Sequence, residues 1–229
     1  MKNPLLTDAQ YDFATMVAHD LRAPLTVIRG AIAELDSGTD SADLRERLRI
    51  ATTVLSEHVE FIVDAARLDT HVYESVRVPI NIADEIEKFC ALTSALARSK
   101  NIQVTCTISA SPLVCVDVVA FRHVIQNLLE NAVKYTEQGT IAVACTLDQH
   151  QLTIRVIDSG IGMTSDELQH AFEPFYRGRS EYVRTSMGSG MGLWMCQRFA
   201  EIAQGSLHIT SDGRETGTTS TLTLPATSV

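Results

Sequence analysis

The run Val156-Ile-Asp-Ser-Gly-Ile-Gly-Met163 places a carboxylate directly after a β-rich segment, with two glycines at alternate positions behind it. Gly160 and Gly162 have no Cβ, so the backbone there can approach a ligand closely. An ionised Asp158 only accepts hydrogen bonds, which suits an exocyclic amino group such as that of adenine and disfavours the carbonyl oxygen of guanine. By itself, this pattern is more typical of a turn than of a binding site.

A second glycine cluster, Gly188-Ser-Gly-Met-Gly192, precedes a helical stretch from Leu193 to Ala203. The N–H groups of such a loop and of the helix N-terminus can bind phosphates. Between the two clusters, the segment from Arg177 to Met187 is polar and basic and has no apolar periodicity. This composition is typical either of a lid that orders over a nucleotide or of a disordered surface loop.

The stretch from Phe121 to Tyr135 has the periodicity of an amphipathic helix. Its apolar residues share one face, namely Phe121, Ile125, Leu128, Leu129 and Ala132. Asn127, Asn131 and Lys134 cluster about 140° away on the wheel. Amide oxygens suit a Mg²⁺ ion, and a lysine ammonium suits the phosphates that the ion carries. An ordinary helix with a solvated polar face would have the same pattern.

Two long helices are predicted before this region, one from about residue 8 to Asp36 and one from Leu44 to Ala66. The turn cluster between them makes an antiparallel hairpin. The apolar stripes of the hairpin are too wide for it to cover alone, so we expect a homodimer through residues 8–68, with a four-helix bundle at the interface.

From Val76 onward, short β-rich runs alternate with helical segments. The predicted strands are residues 102–108, 140–147, 152–157, 206–210 and 218–224. This order predicts an α/β sandwich with helices packed on one sheet, and an α+β protein as a whole. The expected domains are residues 1–72 and 73–229.

His19 lies about 180° from the centre of the apolar face of the first helix. A solvated surface histidine is one interpretation of this position, and a phosphate-accepting imidazole is the other. Asp20 can accept the Nδ1 proton and so leave the Nε2 lone pair available for attack. Pro24 has no N–H to donate to the carbonyl of Asp20, so it should loosen the helix where a second domain must reach the imidazole.

Composition disfavours several other classes of protein. The net charge of −9 and the pI near 5.2 oppose nucleic-acid binding. The five cysteines lie singly and form no CxxC pair, which favours buried free thiols in a reducing compartment over disulfides or zinc ligands. No apolar run approaches the roughly 18 residues of a membrane span, so we expect no membrane insertion in this chain. The expected location is the cytoplasm, including the cytoplasmic part of a membrane-bound sensor.

Taken together, these residues resemble the two-domain core of sensor histidine kinases, and the resemblance covers nearly the whole chain. It rests on six motifs in the family's order: an H box at His19-Asp-Leu-Arg-Ala-Pro-Leu25, an N box at Asn127-Leu-Leu-Glu-Asn-Ala-Val-Lys-Tyr135, a first glycine box at Asp158-Ser-Gly-Ile-Gly162, an F box at Phe172-Glu-Pro-Phe-Tyr-Arg177, a second glycine box at residues 188–193, and a last box at Gly217-Thr218.

The resemblance implies a dimeric helical hairpin followed by an ATP-binding sandwich of the Bergerat (GHKL) type, shared with gyrase, the Hsp90 chaperones and the MutL proteins. It implies that His19, helped by Asp20, accepts the γ-phosphate of ATP and passes it to an aspartate of a response regulator receiver domain. Asn127 and Asn131 would hold Mg²⁺, and Asp158 would bind adenine. The other implied nucleotide contacts are Lys134, Tyr135, Gly160, Gly162, Arg177, Gly188, Gly190, Gly192, Leu193 and Thr218.

Two positions depart from the family's pattern. Met191 stands where leucine is usual in the second glycine box, which is a volume-conserving change. Ala23 stands where threonine or asparagine is frequent, four positions after the histidine. A methyl group cannot hold an attacking water, so we expect weak phosphatase activity toward the phosphorylated partner.

Particular residues disfavour two rival functions. An ATPase of the same superfamily carries a water-activating glutamate at the position of Asn127, and a neutral amide cannot act as a general base. A phosphotransfer scaffold that has lost nucleotide binding is disfavoured by the intact Asp158, Asn131 and both glycine clusters.

Overall fold

The computed structural model describes residues 8–38, 41–69, 75–109, 113–148, 150–178, 180, 183 and 190–228. The side chains of residues 8–20, 23, 54, 57, 58 and 60–69 are outside this description. Contacts between residues divide the chain into two compact units that meet in sequence between Thr70 and His71. The first unit contains two long helices, and the second contains both sheets and the remaining helices.

The first unit is the predicted helical hairpin, made of α1 (Asp8–Asp36) and α2 (Ala42–Asp69). Helix α1 continues through Pro24. The two helices pack through Ala31, Leu44 and Ala51, which are at most 4% exposed. Arg47 of α2 binds the carboxylate of Glu34 of α1 at 2.7 Å. The pairing holds the two helices together near the turn that joins them.

The second unit alternates strands and helices, as the sequence predicts. Its helices are α3 (Ile82–Ala97), α4 (Val118–Tyr135), α5 (Ser165–His170) and α6 (Gly192–Ile202), with a 3₁₀ turn at Arg98–Lys100. Its strands are β1 (Arg77–Ile80), β2 (Ile102–Ser109), β3 (Val114–Asp117), β4 (Gly139–Asp148), β5 (Gln151–Asp158), β6 (Ser206–Thr210), β7 (Thr218–Pro225) and β8 (Thr227–Ser228).

The main sheet has five strands in the order β2-β4-β5-β7-β6. Strand β2 pairs parallel with β4, with Ile102 opposite Gly139, and the other pairs are antiparallel. Asp158, the last residue of β5, is opposite Thr218, the first residue of β7. This register brings the first and the last of the predicted glycine motifs together at one end of the sheet. A smaller antiparallel sheet has the order β1-β3-β8.

Helix α4 forms the centre of the second unit. Asp117 caps its N-terminus, because the carboxylate accepts the Ala120 N–H at 3.0 Å. The predicted apolar face is buried: Phe121, Ile125, Leu128, Leu129 and Ala132 are all at most 3% exposed. Helix α4 contacts the sheet and α6, and burial of its apolar face leaves the polar face for the candidate site.

The five cysteines are free thiols, but they are not uniformly buried as the sequence suggested. Cys90, Cys145 and Cys196 are buried, Cys115 is half-buried, and Cys106 is exposed on the edge strand β2. Cys106 differs from the expectation because β2 lies at the edge of the main sheet, where its side chains are only partly covered. Among the described residues, no helix combines the length and the apolar content needed to cross a membrane.

Candidate functional site

The polar face of α4 carries two amides that contact each other. The Asn131 side chain donates to the Asn127 carbonyl oxygen at 2.9 Å, as the i, i+4 spacing predicts. Asn127 also lies against the first residue of α6: a Cβ on Gly192 would be 2.5 Å from the Asn127 amide nitrogen. A side chain at this position would displace the Asn127 amide, so the glycine leaves room for that amide between the two helices.

The Asp158 carboxylate is held in place by backbone amides. Its Oδ1 accepts the N–H groups of Gly160 at 2.9 Å and Thr218 at 3.2 Å. Burial raises the pKa of Asp158, and these two hydrogen bonds oppose the rise without cancelling it. Oδ2 has no hydrogen-bond donor among the residues that the structure describes, so it is the oxygen that can recognise a ligand amino group.

The first glycine loop packs on the C-terminal end of α4. The Ile161 N–H donates to the carbonyl of Tyr135 at 3.0 Å. A Cβ on Gly160 would be 2.4 Å from that same carbonyl oxygen and 2.8 Å from Asp158 Oδ1. Gly160 is therefore needed for the close approach of the loop to the helix and to its own carboxylate.

The turn between β6 and β7 supports the loop from the other side, and the sequence reasoning missed it. Ser211 Oγ accepts the Met163 N–H at 2.9 Å, and the Glu215 N–H donates to the Ile161 carbonyl at 2.8 Å. The Arg214 guanidinium donates to the Gly162 carbonyl at 3.2 Å and pairs with the carboxylate of Glu167. The Asp-Gly pair at 212–213 marks a turn in the sequence, but nothing local indicates that this turn contacts the loop.

Glu167 is a buried acid whose charge is compensated by these neighbours. Burial by itself would raise the pKa of Glu167, but the Thr164 N–H and the Arg214 guanidinium outweigh it and lower the pKa. Glu167 also completes a capping box with Thr164 at the start of α5. The ion pair thus joins α5, the glycine loop and the β6–β7 turn.

The second glycine cluster packs on the F box. Gly190 has a φ of +76°, and a Cβ there would be 2.7 Å from the Tyr176 carbonyl oxygen. Arg177 donates to the carbonyl of Val183. Leu193 lies half-buried in the first turn of α6. Gly188 and most of the predicted lid, residues 177–187, lie outside the described residues.

Lys134 and Tyr135 end α4 next to the glycine loop. The Lys134 ammonium lies 4.9 Å from the centre of the Tyr135 ring, a cation–π contact. Asn127, Asn131 and Lys134 lie on one helix in the predicted order. Asn127 lies next to Gly192, and the spacing of seven residues puts Lys134 about 10 Å further along the helix axis at 1.5 Å per residue.

The Asn127 and Asn131 side chains suit a Mg²⁺ ion. Both carry amide oxygens, which are hard ligands, and Mg²⁺ keeps several waters and phosphate oxygens in addition to few protein ligands. The Asn131 oxygen accepts no hydrogen bond from the described residues. Because Gly192 has no side chain, the Asn127 amide lies next to the N-terminus of α6. This helix end favours anions such as phosphates.

The candidate phosphate acceptor belongs to the first unit. His19 and Asp20 lie within α1, and their side chains are outside the described atoms. The structure therefore supports the helical position of His19 and leaves its chemistry as a prediction.

Comparison with known proteins assigns both units. Residues 9–71 match the model of the His Kinase A (phospho-acceptor) domain, and residues 116–228 match that of the histidine kinase-, DNA gyrase B- and HSP90-like ATPase. The chain is 30% identical over 228 residues to an uncharacterized sensor-like histidine kinase of Rhizobium meliloti (strain 1021). The match covers 96% of this chain and 43% of that protein. The chain spans less than half of the length of the curated relatives it matches.

Solved structures share the fold. The solved chain of the Acinetobacter baumannii histidine kinase AdeS superimposes with a TM-score of 0.73 at 18% identity, over 90% of this chain and 97% of that chain. The histidine kinase ThkA, solved in complex with the response regulator protein TrrA, superimposes with a TM-score of 0.71 at 22% identity, over 93% of this chain and 61% of that one. With a phospho-acceptor hairpin and a GHKL-type ATPase domain in sequence, the chain belongs to the sensor histidine kinases and comprises their catalytic core.

Proposed function

We propose that this chain is an ATP-dependent histidine autokinase of a two-component system. The observation that carries the proposal is the position of α4 between the two glycine clusters. Gly160 packs against Tyr135 at the end of the helix, and Gly192 packs against Asn127 two turns earlier. One helix thus supports both an adenine-recognising carboxylate and a phosphate-binding helix end.

We assign the nucleotide to residues 73–229 and the acceptor to residues 1–72. Asp158 Oδ2 accepts the adenine amino group, with Gly160, Gly162 and Thr218 around it. Lys134, Tyr135 and Arg177 contact the nucleotide, and the phosphates lie at residues 188–193. Bound to Asn127 and Asn131, Mg²⁺ supplies positive charge to the phosphates.

His19 is the nucleophile in this proposal. Asp20 accepts the Nδ1 proton and so orients the imidazole with its Nε2 lone pair toward the γ-phosphorus. The Nε2–P bond forms as the bond from the γ-phosphorus to the bridging oxygen breaks, and ADP leaves. The phosphoryl group then moves to a carboxylate oxygen of an aspartate on a response regulator.

The partners follow from the same family membership. The ThkA structure contains a response regulator, which supports a receiver domain as the second substrate. A homodimer through residues 8–68 and a cytoplasmic location remain parts of the proposal, and the five free thiols favour a reducing compartment. Weak phosphatase activity stays a prediction that rests on Ala23.

Phosphorylation with γ-labelled ATP tests the proposed function. The wild-type chain should acquire label that is lost in acid and stable in base, as expected for a phosphoramidate. His19→Gln should abolish the label while ATP still binds, because the acceptor and the nucleotide lie in different units. His58→Gln, a change of the same type in α2, should retain the label.

Each rival function has its own outcome in this experiment. Release of inorganic phosphate without protein label would identify an ATPase. Absence of ATP binding by the wild-type chain would identify a scaffold. Label that persists in His19→Gln would move the acceptor to another residue.

A further inference from the structure

The C-terminal end of α4 is completed by the next residue and by groups that are distant in sequence. The last backbone carbonyls of a helix have no hydrogen-bond partner within the helix and need donors from elsewhere. Here the Ala132 carbonyl accepts the Thr136 N–H at 3.1 Å, and the Tyr135 carbonyl accepts the Ile161 N–H at 3.0 Å. The remaining carbonyls of this turn are those of Val133, Lys134 and Thr136.

Lys100 satisfies all three of these carbonyls. Its ammonium lies 2.8 Å from the Val133 oxygen, 3.2 Å from the Lys134 oxygen and 3.3 Å from the Thr136 oxygen. An ammonium has three donors on a compact head, which matches three converging acceptors. A positive charge is also favoured at this end of the helix, where the dipole is negative.

The topology of the sheet brings Lys100 to this place. Lys100 ends the 3₁₀ turn that precedes β2, and Asn101 reverses the backbone with a φ of +54°. Strands β2 and β4 are parallel, with Ile102 opposite Gly139. The segments that lead into the two strands therefore lie at the same end of the sheet, so Lys100 is next to the residues that join α4 to β4.

This turn of α4 carries the contacts of the nucleotide site. It includes Lys134 and Tyr135, and the Tyr135 carbonyl is the surface on which Gly160 and Ile161 rest. Because Lys100 binds the carbonyls on both sides of Tyr135, it restricts the orientation of that peptide unit. Movement of this unit would be transmitted through Gly160 to Asp158, whose Oδ1 is bound to the Gly160 N–H.

We propose that Lys100 is a positioning residue for the nucleotide site, which holds the last turn of α4 and, through Tyr135, the first glycine loop. The inference rests on the proposed ATP binding by the same domain. Lys100 touches neither nucleotide nor metal in this assignment. Its effect is on the geometry that Tyr135 and Asp158 present to the base.

ATP affinity of the whole chain tests the inference. Lys100→Met keeps the length of the side chain and removes its donors, so it should weaken ATP binding about tenfold. Lys100→Arg should weaken binding less, because a planar guanidinium keeps the charge but matches the three acceptors poorly. Lys88→Met is the matched control, since Lys88 is an exposed lysine of α3 paired with Glu85. The ATP affinity of this variant should equal that of the wild type.

Two further measurements separate positioning from a loss of stability. Leu224→Ala removes core volume at the end of β7 opposite to Thr218, and it should lower the melting temperature without changing the ATP affinity measured where the protein is folded. In Lys100→Met, the Ile161 amide should shift in ¹⁵N-resolved spectra and exchange faster with solvent, whereas in Leu224→Ala its resonance should stay in place.

The outcomes are distinct. Wild-type affinity in folded Lys100→Met, with an unchanged Ile161 amide, would overturn the positioning role. If Lys100→Met does not fold, Lys100→Arg decides, and wild-type affinity together with an unchanged Ile161 amide in that variant would overturn the role. Failure of the wild-type chain to bind ATP would instead overturn the proposed function.

Discussion

At the scale of single residues, the proposed adenine-binding residue Asp158 carries a charge that is unfavourable in the folded protein. Burial raises its pKa above the unfolded value despite the amides of Gly160 and Thr218. Folding therefore favours the protonated acid, and this contribution to stability is present below the unfolded pKa and lost as the pH rises through the folded pKa. Near neutral pH the ionised carboxylate therefore lowers the stability of the domain, as expected of a charge that has the proposed role in binding adenine.

Replacement of this carboxylate should separate affinity from stability. Asp158→Asn keeps an oxygen for the two amides but turns an NH₂ group toward the adenine amino group, so ATP binding should weaken about 10- to 100-fold. At pH 7.5 its free energy of unfolding should be at least that of the wild type, because the buried charge is gone. Isothermal titration and chemical denaturation measure the two quantities.

The pH dependence of the free energy of unfolding checks that the buried charge of Asp158 causes this difference. The stability difference between Asp158→Asn and the wild type should shrink as the pH falls through the raised pKa of Asp158, because both side chains are then neutral. Asp148→Asn makes the same change at an exposed position at the far end of β4, and it should alter neither quantity. Unchanged ATP affinity in Asp158→Asn would mean that the adenine base binds away from Asp158.

At the scale of elements, the β6–β7 turn acts as a support for the first glycine loop. Its backbone and side chains bind Gly160, Ile161, Gly162 and Met163 in succession. Gly217 has a φ of +76° and lies so close that a Cβ would be 1.9 Å from the Asp158 carbonyl oxygen. The loop is therefore shaped by a turn about 50 residues later in the chain.

Arg214 should contribute to stability through this support. Arg214→Met leaves the carboxylate of Glu167, whose side chain is 7% exposed, without its cation, and should lower the free energy of unfolding by about 1–3 kcal/mol. The loss should be largest above the unfolded pKa of Glu167 and should fade as the pH falls through its lowered folded pKa. Urea denaturation at several pH values measures the effect.

Two variants control this prediction. Arg198→Met breaks an exposed pair with Glu201 and should change stability by less than about 1 kcal/mol. Adding Glu167→Gln to Arg214→Met should recover part of the loss, because no buried charge remains uncompensated. A loss in Arg214→Met no larger than in Arg198→Met would contradict a supporting role for the ion pair.

At the scale of the whole molecule, the helical hairpin leaves large apolar side chains uncovered. Leu25, Ile32, Leu35 and Ile50 are each more than a third exposed, and Val59 is 50% exposed. Apolar surface of this extent on a helical pair is typical of an interface. The sequence predicts apolar stripes that are too wide for one hairpin to cover. These side chains show that such stripes are still exposed in the folded hairpin.

A second copy of the hairpin should cover these faces. The wild-type chain should sediment as a dimer at micromolar concentration, and Ile32→Glu should shift it to a monomer, because a charge would be buried in the interface. Ser37→Glu adds the same charge at an exposed polar residue in the turn after α1, and should remain dimeric. Monomeric wild type at micromolar concentration would refute the dimer.

Local patterns were sufficient to predict most elements. The period of the apolar residues identifies α1, α2 and α4, and the β-rich runs at 102–108, 140–147, 152–157, 206–210 and 218–224 lie within the strands observed there. Asn127 and Asn131 pair because four residues make one turn of a helix. Asp158 ends its strand as the run 156–163 suggests.

The sequence by itself determined most of the elements and predicted the residues that we propose carry chemistry, because helical period, alternation and glycine spacing act within a few residues of each other. Only the tertiary structure decided how those residues are supported. Lys100 reaches the end of α4 because β2 and β4 are parallel neighbours, and Arg214 reaches Gly162 because β7 pairs with β5. Such contacts depend on which strands become adjacent in the sheet, and no local pattern in either segment specifies that choice.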